Sequence, residues 1–399
     1  MSRITVIGLG GPSSAEAGST LGEAALVVGG SRQLEVFGIE PGRAAVLKGD
    51  LSEALGRIEE TDGQIVVLAS GDPGFFGIVR LLAERFGEES LRVFPGVSSV
   101  ALAFARAGLP WDDAVTVSAH GRDPRRAVNV CRARPKVAVL TSPEFGPAEL
   151  ARELEGWGRT CFVCERLGEP DERTVLGEAA KIAGMEWRDP NVVLVLEEER
   201  AVGERGWVSS GVASRGRWAL PEDAFEHRAA MITRPETRSV VLALLGPGLG
   251  DLVWDVGAGS GSVAIECARL GAAAIAIERD PESCSRIRNN SVRHGACVRV
   301  VEGEAPAALG DLPEPDAVFI GGSGSDFDEI VKLCAVRARR AVVLSLISLE
   351  RVVPASEILE GCGLEVETTF LQASRVRGVG SLHRLVPEAP VFVVSGRKT

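Results

Sequence analysis

A glycine triplet followed by a distant carboxylate is the feature of this sequence that most directly indicates chemistry. The run Asp251-Leu-Val-Trp-Asp-Val-Gly257-Ala-Gly-Ser-Gly261 predicts a strand that ends in a glycine loop, and a helix-forming segment follows it. Because glycine has no side chain, this loop lets a ligand approach the backbone closely. Glu278 ends the next apolar run, 21 positions after Gly257. A carboxylate there can accept hydrogen bonds from both ribose hydroxyls of an adenosine ligand.

The spacing of the triplet narrows the choice of cofactor. It is G-x-G-x-G, whereas dinucleotide-binding loops usually carry G-x-G-x-x-G. With the preceding strand and the later acid, the segment resembles the class I methyltransferases that use S-adenosylmethionine (SAM). The alternative is a tight strand–helix turn beside a solvated glutamate, which needs no ligand.

Three flanking stretches carry a closer resemblance. They are Leu220-Pro-Glu-Asp-Ala-Phe-Glu-His-Arg228, Met231-Ile-Thr-Arg-Pro-Glu-Thr-Arg238 and Glu302-Gly-Glu-Ala-Pro306. Over nearly all of residues 220–399 the chain resembles the decarboxylating precorrin-6B carbon-15 methyltransferases. The resemblance implies a SAM site in which Thr233 covers the methionine end of the cofactor. The other implied contacts are Gly257, Ala258, Gly259, Ser260, Gly261 and Glu278, with Glu304 and Ala305 near the adenine.

Glycine- and proline-rich loops follow several apolar runs of the N-terminal half. They include Val6-Ile-Gly-Leu-Gly-Gly-Pro12, Ser70-Gly-Asp-Pro-Gly-Phe75 and Pro95-Gly-Val-Ser-Ser99. Loops at strand ends bind ligands in open α/β sheets, and these offer backbone groups that suit a zwitterion such as SAM. Residues 3–197 resemble the tetrapyrrole (corrin/porphyrin) methylases, and within them the precorrin carbon-5 methylases. The resemblance implies a second SAM site at Pro12, Ser70, Gly71, Asp72, Ser98 and Ser99, although the first loop departs from the usual Gly-Pro-Gly.

A polycarboxylate substrate such as a tetrapyrrole needs cationic partners, and arginine binds carboxylates through two N–H groups. Arg375, Arg377, His383 and Arg384 lie in a stretch without acidic residues, although solvated surface charge is the alternative. His120 is placed either to face the macrocycle or to cap a turn. The loop 321–324, which contains Ser323, is a hypothetical part of a decarboxylation pocket. The catalytic residues stay unknown, with Arg375, Arg377, His383, His120 and Ser323 as candidates.

The composition excludes several classes of protein. The net charge is −11 and both halves of the 399-residue chain are mildly acidic, which argues against nucleic-acid binding. There is neither a membrane-spanning apolar run nor a signal peptide, so a cytoplasmic protein without a membrane partner is expected. The eight cysteines are scattered, and the lone pair Cys161 and Cys164 is assigned to buried packing, with metal or redox use as the alternative. No metal site is expected.

Apolar runs alternate with helix-like segments along the chain, which predicts α/β architecture with largely parallel sheets. These strands and helices must position the glycine-containing loops. The predicted strands are 4–9, 65–68, 91–94, 114–118, 136–140, 161–164, 191–196, 251–256, 272–278, 298–301, 316–320, 340–346 and 391–395. A glycine-rich, weakly periodic stretch predicts a linker at 201–219 between domains 1–200 and 220–399. We therefore expect a tetrapyrrole methylase (class III methyltransferase) fold followed by a Rossmann-like class I fold.

The pairing of these two domains resembles enzymes of cobalamin (vitamin B12) biosynthesis that methylate carbons 5 and 15 of precorrin-6B and decarboxylate its ring C acetate. The resemblance implies one SAM site per domain, two SAM per substrate, a precorrin-8X product and a homo-oligomer. Two alternatives are an RNA methyltransferase and a SAM-binding scaffold without activity. The sequence leaves open whether the ring carries cobalt and which methylation comes first.

Overall fold

Three large sheets packed with helices, and one two-stranded hairpin, make up the computed structural model. The model describes residues 4–9, 15–48, 51–198, 217–228, 232–322, 324, 326–379 and 381–398. The strands are β1 (Ile4–Leu9), β2 (Leu26–Gly29), β3 (Ala44–Val46), β4 (Ile65–Ser70), β5 (Leu91–Phe94), β6 (Val115–Ser118), β7 (Lys136–Leu140), β8 (Thr160–Glu165), β9 (Arg173–Glu178), β10 (Asn191–Leu196), β11 (Leu252–Val256), β12 (Ala273–Glu278), β13 (Val298–Glu302), β14 (Ala317–Ile320), β15 (Ala341–Leu346), β16 (Glu365–Leu371), β17 (Ser374–Val379), β18 (Leu382–Pro387) and β19 (Val391–Arg397). The helices are α1 (Ala15–Glu23), α2 (Ser31–Val36), α3 (Ser52–Glu60), α4 (Val79–Phe86), α5 (Ser99–Ala107), α6 (Arg125–Ala133), α7 (Pro147–Glu153), α8 (Ala179–Ala183), α9 (Pro235–Leu245), α10 (Ser262–Arg269), α11 (Pro281–Arg293), α12 (Phe327–Arg337) and α13 (Val352–Gly361).

The first sheet has the order β3-β2-β4-β1-β5, and every pairing in it is parallel. Its central strands are continuous apolar runs, as expected of strands that are covered on both faces. The carboxyl ends of β1, β4 and β5 therefore lie side by side at one edge. This edge carries the glycine- and serine-containing loops of the N-terminal half.

The second sheet corrects the expectation of largely parallel pairing. Its order is β6-β7-β10-β8-β9, and only β6 and β7 are parallel. The strands β8 and β9 are joined by a short connection, which forces a hairpin because a parallel pair needs a long crossover. Cys161 and Cys164 lie on opposite faces of β8 and pack in different apolar clusters, so the two thiols do not converge on one ligand.

The third sheet has the order β13-β12-β11-β14-β15-β19-β16. Its first five strands are parallel, and β19 and β16 add antiparallel pairings at one edge. Trp254, the largest fully buried side chain among the described residues, lies in the interior strand β11. A separate hairpin of β17 and β18 extends from this edge. The fold of the C-terminal half is thus Rossmann-like, as predicted.

The two halves are packed against each other through α6 and the segment around Trp157. Trp157 is 6% exposed and belongs to the apolar core that includes Trp254 of the C-terminal sheet. The Arg132 and Arg299 guanidinium groups, one from each half, lie 5.4 Å and 6.0 Å from the Trp157 ring. The C-terminal core is therefore completed by a side chain of the N-terminal half.

Candidate functional site

A cavity of about 540 Å³ opens at the carboxyl ends of β11, β12 and β14. This volume is within the range of small-molecule sites. Residues of the glycine loop, the end of β12 and the segment before α9 line it. Seven of the nine predicted C-terminal SAM contacts are among the lining residues: Thr233, Gly257, Ala258, Gly259, Glu278, Glu304 and Ala305.

The wall of this cavity at Gly257 consists of backbone. Gly257 has φ +69°, and a Cβ atom there would lie 2.3 Å from the Gly322 carbonyl oxygen. The loops that follow β11 and β14 therefore touch without a side chain between them. Gly259, at φ +54°, also requires the left-handed conformation that glycine adopts easily.

Glu278 presents its carboxylate to the same cavity. One oxygen accepts a hydrogen bond from the Gly259 N–H at 2.8 Å, and the other accepts one from the Asp280 N–H at 3.0 Å. Each carboxylate oxygen has more than one acceptor position, so further acceptor capacity remains beside the glycine loop. The geometry fits a ligand with two adjacent hydroxyl groups, as in the ribose of SAM.

Asp255 lies beneath the glycine loop and is 1% exposed. Its Oδ2 accepts a hydrogen bond from the Ala264 N–H at 2.9 Å, which connects β11 to the first turn of α10. Burial raises the pKa of Asp255 to about 7, and the hydrogen bond from Ala264 offsets part of that rise. The carboxyl group thus braces the loop from below and does not line the cavity.

A strap formed by residues 217–228 crosses α10 and α11 and leads toward the cavity. Leu220 N–H donates to the buried Glu266 at 2.7 Å, and Asn290 bonds both the N–H and the carbonyl of Glu226. The fully buried Arg238 donates to the carbonyl oxygens of Leu220 and Thr233. Arg238 therefore fixes the backbone beside Thr233, one of the cavity-lining residues.

Each half of the chain matches a separate family model. Residues 4–183 match the tetrapyrrole (corrin/porphyrin) methylases, and residues 223–398 match the precorrin methyltransferase domain. A precorrin-6Y C(5,15)-methyltransferase (decarboxylating) from Sinorhizobium is 37% identical over 341 residues, which span 81% of this chain and 79% of that protein. The chain belongs to the precorrin-6Y C(5,15)-methyltransferase (decarboxylating) family.

Two further relatives are named precorrin-6Y C5,15-methyltransferases, the first of them with the addition decarboxylating. A Mycobacterium tuberculosis protein is 36% identical over 261 residues, 64% of this chain and 63% of its own length. A crystal structure of a precorrin-6Y C5,15-methyltransferase from Geobacter metallireducens is 34% identical, covers 45% of this chain and 97% of its own, and has a TM-score of 0.44. The members of this family are SAM-dependent methyltransferases of cobalamin biosynthesis that also decarboxylate, and the enzymatic prediction is confirmed.

Two of the predicted SAM contacts of this family member lie outside the main cavity. Ser260 is 3% exposed and borders a small neighbouring hollow with His227 and Arg228. Gly261 precedes α10 at φ +73°, and a Cβ atom there would lie 2.8 Å from Ile287. The structure therefore gives Gly261 a packing reason for being glycine that is independent of a ligand.

The basic stretch predicted to meet the substrate forms the hairpin β17–β18. Arg377 and Arg384 are register partners, as are Gly378 and His383, and all four residues are exposed. Arg375 is different because its guanidinium lies 2.7 Å from Glu236 and 3.3 Å from Glu388. The stretch itself lacks acidic residues, yet the fold supplies two carboxylates to Arg375.

The candidate SAM loops of the N-terminal half converge at the ends of β1, β4 and β5. A Cβ atom on Gly71 would lie 3.3 Å from the Val97 carbonyl oxygen and 3.4 Å from Ser98 and Ser99. Asp72 accepts a hydrogen bond from Gly74 N–H at 2.8 Å, and Ser70 accepts one from Gln33. Ser98 caps α5 through the Ala101 N–H. Two predicted residues, Pro12 and Ser323, lie outside the described residues.

Phe75 and Phe76 are further site candidates, which the motif at Ser70–Phe75 did not single out. Both are exposed, at 37% and 53%, and their rings contact edge to face with centroids 5.1 Å apart. Phe76 has φ +54°, a conformation that costs energy for a non-glycine residue and is common at functional sites. The signal available in the sequence was the adjacency of two aromatic residues to the Ser70–Asp72 loop. His120, two residues after β6, is exposed. Hydrogen bonds from the Glu144 backbone N–H and from Ser142 lower the pKa of the Glu144 carboxyl, and His120 adds a smaller electrostatic contribution in the same direction.

Proposed function

We propose that this chain has one SAM site in each half. The C-terminal cavity serves methylation at carbon 15 and removal of the ring C acetate carboxyl, and the N-terminal loops serve methylation at carbon 5. The observation that carries the proposal is the juxtaposition of Glu278 with the backbone-walled loop at Gly257 and Gly259. Bound SAM supplies an activated methyl group, so positioning accounts for most of what the protein must contribute.

The residues around the C-terminal cavity have distinct proposed roles. The Glu278 carboxylate accepts hydrogen bonds from ribose hydroxyls, and the backbone at Gly257 and Gly259 sets the depth at which the cofactor lies. Thr233 covers the opposite side, on backbone that Arg238 holds in place. Decarboxylation needs an electron sink, which the conjugated ring of the substrate provides. The chain's contribution is to orient the acetate and exclude water from it.

The tetrapyrrole carries several carboxylates, and the hairpin offers cations to receive them. Arg377, His383 and Arg384 are exposed beside one another, so an anionic ring relieves the repulsion between the two arginines. In the N-terminal half the exposed rings of Phe75 and Phe76 offer an apolar surface to the macrocycle.

We also propose that the protein is a cytoplasmic homo-oligomer without a nucleic-acid or membrane partner. None of the described helices of the chain is long and apolar enough to cross a membrane.

Mass spectrometry of precorrin-6B incubated with enzyme and excess SAM tests this function. The expected product has gained two methyl groups and lost one CO2. Gly259→Arg removes one methylation together with the decarboxylation, whereas Asp72→Ala removes only the other methylation. Glu302→Ala is the control, because Glu302 is the exposed register partner of Glu278 on β13 and does not line the cavity. An unchanged substrate mass with an enzyme that binds SAM would refute the assignment.

A further inference from the structure

The contacts between the two halves lie at the amino ends of the C-terminal strands. Arg125 forms an ion pair with Asp316 at 2.7 Å, and Asp316 immediately precedes β14. Asn129 donates to the carbonyl of Gly250, just before β11, at 3.0 Å. Arg159 donates to the Sγ of Cys297, the residue before β13, at 2.9 Å. Three strands of the C-terminal sheet, β11, β13 and β14, therefore begin at this interface.

The candidate C-terminal SAM site lies at the opposite edge of this sheet, at the carboxyl ends of β11, β12 and β14. Gly257 follows β11, Glu278 ends β12 and Gly321 follows β14. The five residues of β11 span about 17 Å at roughly 3.3 Å per residue. Among the described residues, those that line the cavity lie between positions 232 and 391, so none of them comes from the described part of the N-terminal half.

On the N-terminal side, the contacting residues belong to the layer of the second sheet. They come from α6, which packs beside β6 and β7, and from the segment around Trp157 that precedes β8. The candidate SAM loops at Ser70–Asp72 and Ser98–Ser99 instead follow strands of the first sheet. The described residues of both candidate sites thus lie away from the contacts between the halves.

Contacts at the interface also hold the two halves in this relative position. Asp316 is buried and additionally accepts the Leu252 N–H at 2.8 Å, which ties the ion pair to the start of β11. Trp157 fills part of the C-terminal core. Swinging one half toward the other site would expose that ring and leave a buried carboxylate without its arginine, which is costly.

We infer that the two sites of one chain share no chamber, and that the tetrapyrrole leaves the chain that methylated it first before it receives its second methyl group. The inference rests on the proposed function, since it needs one methylation site in each half. It makes no assumption about which methylation comes first. The intermediate is a ring with one added methyl group that is accessible to other copies of the enzyme.

A mixture of two half-active variants tests this inference. Gly259→Arg disables the C-terminal site and Asp72→Ala disables the N-terminal site; Glu278→Ala and Gly71→Arg are the second choices if either variant fails to fold. Each variant is first shown to have lost only the methylation assigned to its altered half, with precorrin-6B and with the singly methylated ring as separate substrates. The equimolar mixture is then compared with wild-type enzyme at the same concentration of intact sites, by mass spectrometry of the product over time.

We expect the mixture to form the doubly methylated, decarboxylated product at a rate within about two-fold of wild type, because a released intermediate reaches any copy equally. The singly methylated ring should also pass an ultrafiltration membrane that retains the protein. A mixture slower than wild type by about ten-fold or more would overturn the inference. It would show direct transfer within one chain, where the second site meets the intermediate at a raised local concentration. Wild-type enzyme that leaves precorrin-6B unchanged would overturn the proposed function itself, and the inference with it.

Discussion

Arg125 and Asp316 are 191 positions apart in the chain, yet both carboxylate oxygens of Asp316 lie 2.7 Å from the same Nη1 atom of Arg125. The pair joins the first turn of α6 to the start of β14. Because Asp316 is buried and also receives the Leu252 N–H, it anchors the interface to the central strands of the C-terminal sheet.

Removing the arginine of this pair should destabilise the protein. Arg125→Ala leaves a buried carboxylate with a backbone N–H as its remaining partner, and we expect a loss of about 1–3 kcal/mol in the free energy of unfolding. Urea unfolding followed by tryptophan fluorescence measures the change. Arg80→Ala, at an exposed position on α4, is the control and should change stability little. Equal stability of the two variants would contradict the role given to the interdomain pair.

Glu278 should determine much of the SAM affinity of the C-terminal half. Glu278→Ala removes the acceptor of two charge-assisted hydrogen bonds to ribose, and we expect binding to weaken by about 10- to 100-fold. Isothermal titration calorimetry measures the effect, in an Asp72→Ala background so that the N-terminal site does not contribute. Glu302→Ala, one strand away, should bind as before. A SAM affinity unaffected by Glu278→Ala would remove the basis of the ribose assignment.

The backbone contact at Gly257 predicts a difference between two glycines that share a left-handed conformation. Gly257→Ala places a Cβ 2.3 Å from the Gly322 carbonyl oxygen, so the two loops must separate. Gly246→Ala has a similar φ of +56°, with no heavy atom within 4 Å of the new Cβ. We expect Gly246→Ala to cost about 1 kcal/mol in unfolding free energy and to spare SAM binding. Gly257→Ala should cost more and also weaken SAM binding; equal effects would argue against the loop contact.

Asp255 should give the stability of the C-terminal half a specific pH dependence. Its pKa is about 7 when folded, above its ordinary value of 3.8. Between these values the folded state binds more protons than the unfolded state, so the free energy of unfolding falls as pH rises from about 4 to about 7 and this contribution is constant above that. Asp255→Asn should lessen the decline in unfolding free energy measured by urea titration across that range. The same decline in both proteins would mean that Asp255 is not its source.

Much of the fold could be predicted from the sequence because its central strands are continuous apolar runs. All predicted strands are present, with ends that differ by at most two residues. The missed strands are short or partly exposed. The strands β2 and β3 have four and three residues, and β9 alternates partly buried with exposed side chains. Short or half-exposed strands are fixed by their neighbours, which a single sequence does not display.

The same distinction holds for the candidate site: its local motifs could be predicted from the sequence, and its long-range contacts could not. Glu278 and the glycine loop are close in sequence and follow one motif, so their placement beside one cavity could be predicted. The contact of Gly257 with Gly322 and the pairing of Arg375 with Glu236 join residues that are distant in the chain. They depend on sheet order and on where a hairpin lies. Local pattern carries no information about either.

The position of Trp157 has consequences for how the protein folds and unfolds. The ring belongs to the half that leaves the ribosome first, yet it completes the core of the half that is synthesised last. We therefore expect the early half to present this ring as an apolar surface against which the later sheet packs. Once assembled, neither half can lose its structure without exposing the other, so thermal denaturation should proceed as one cooperative event.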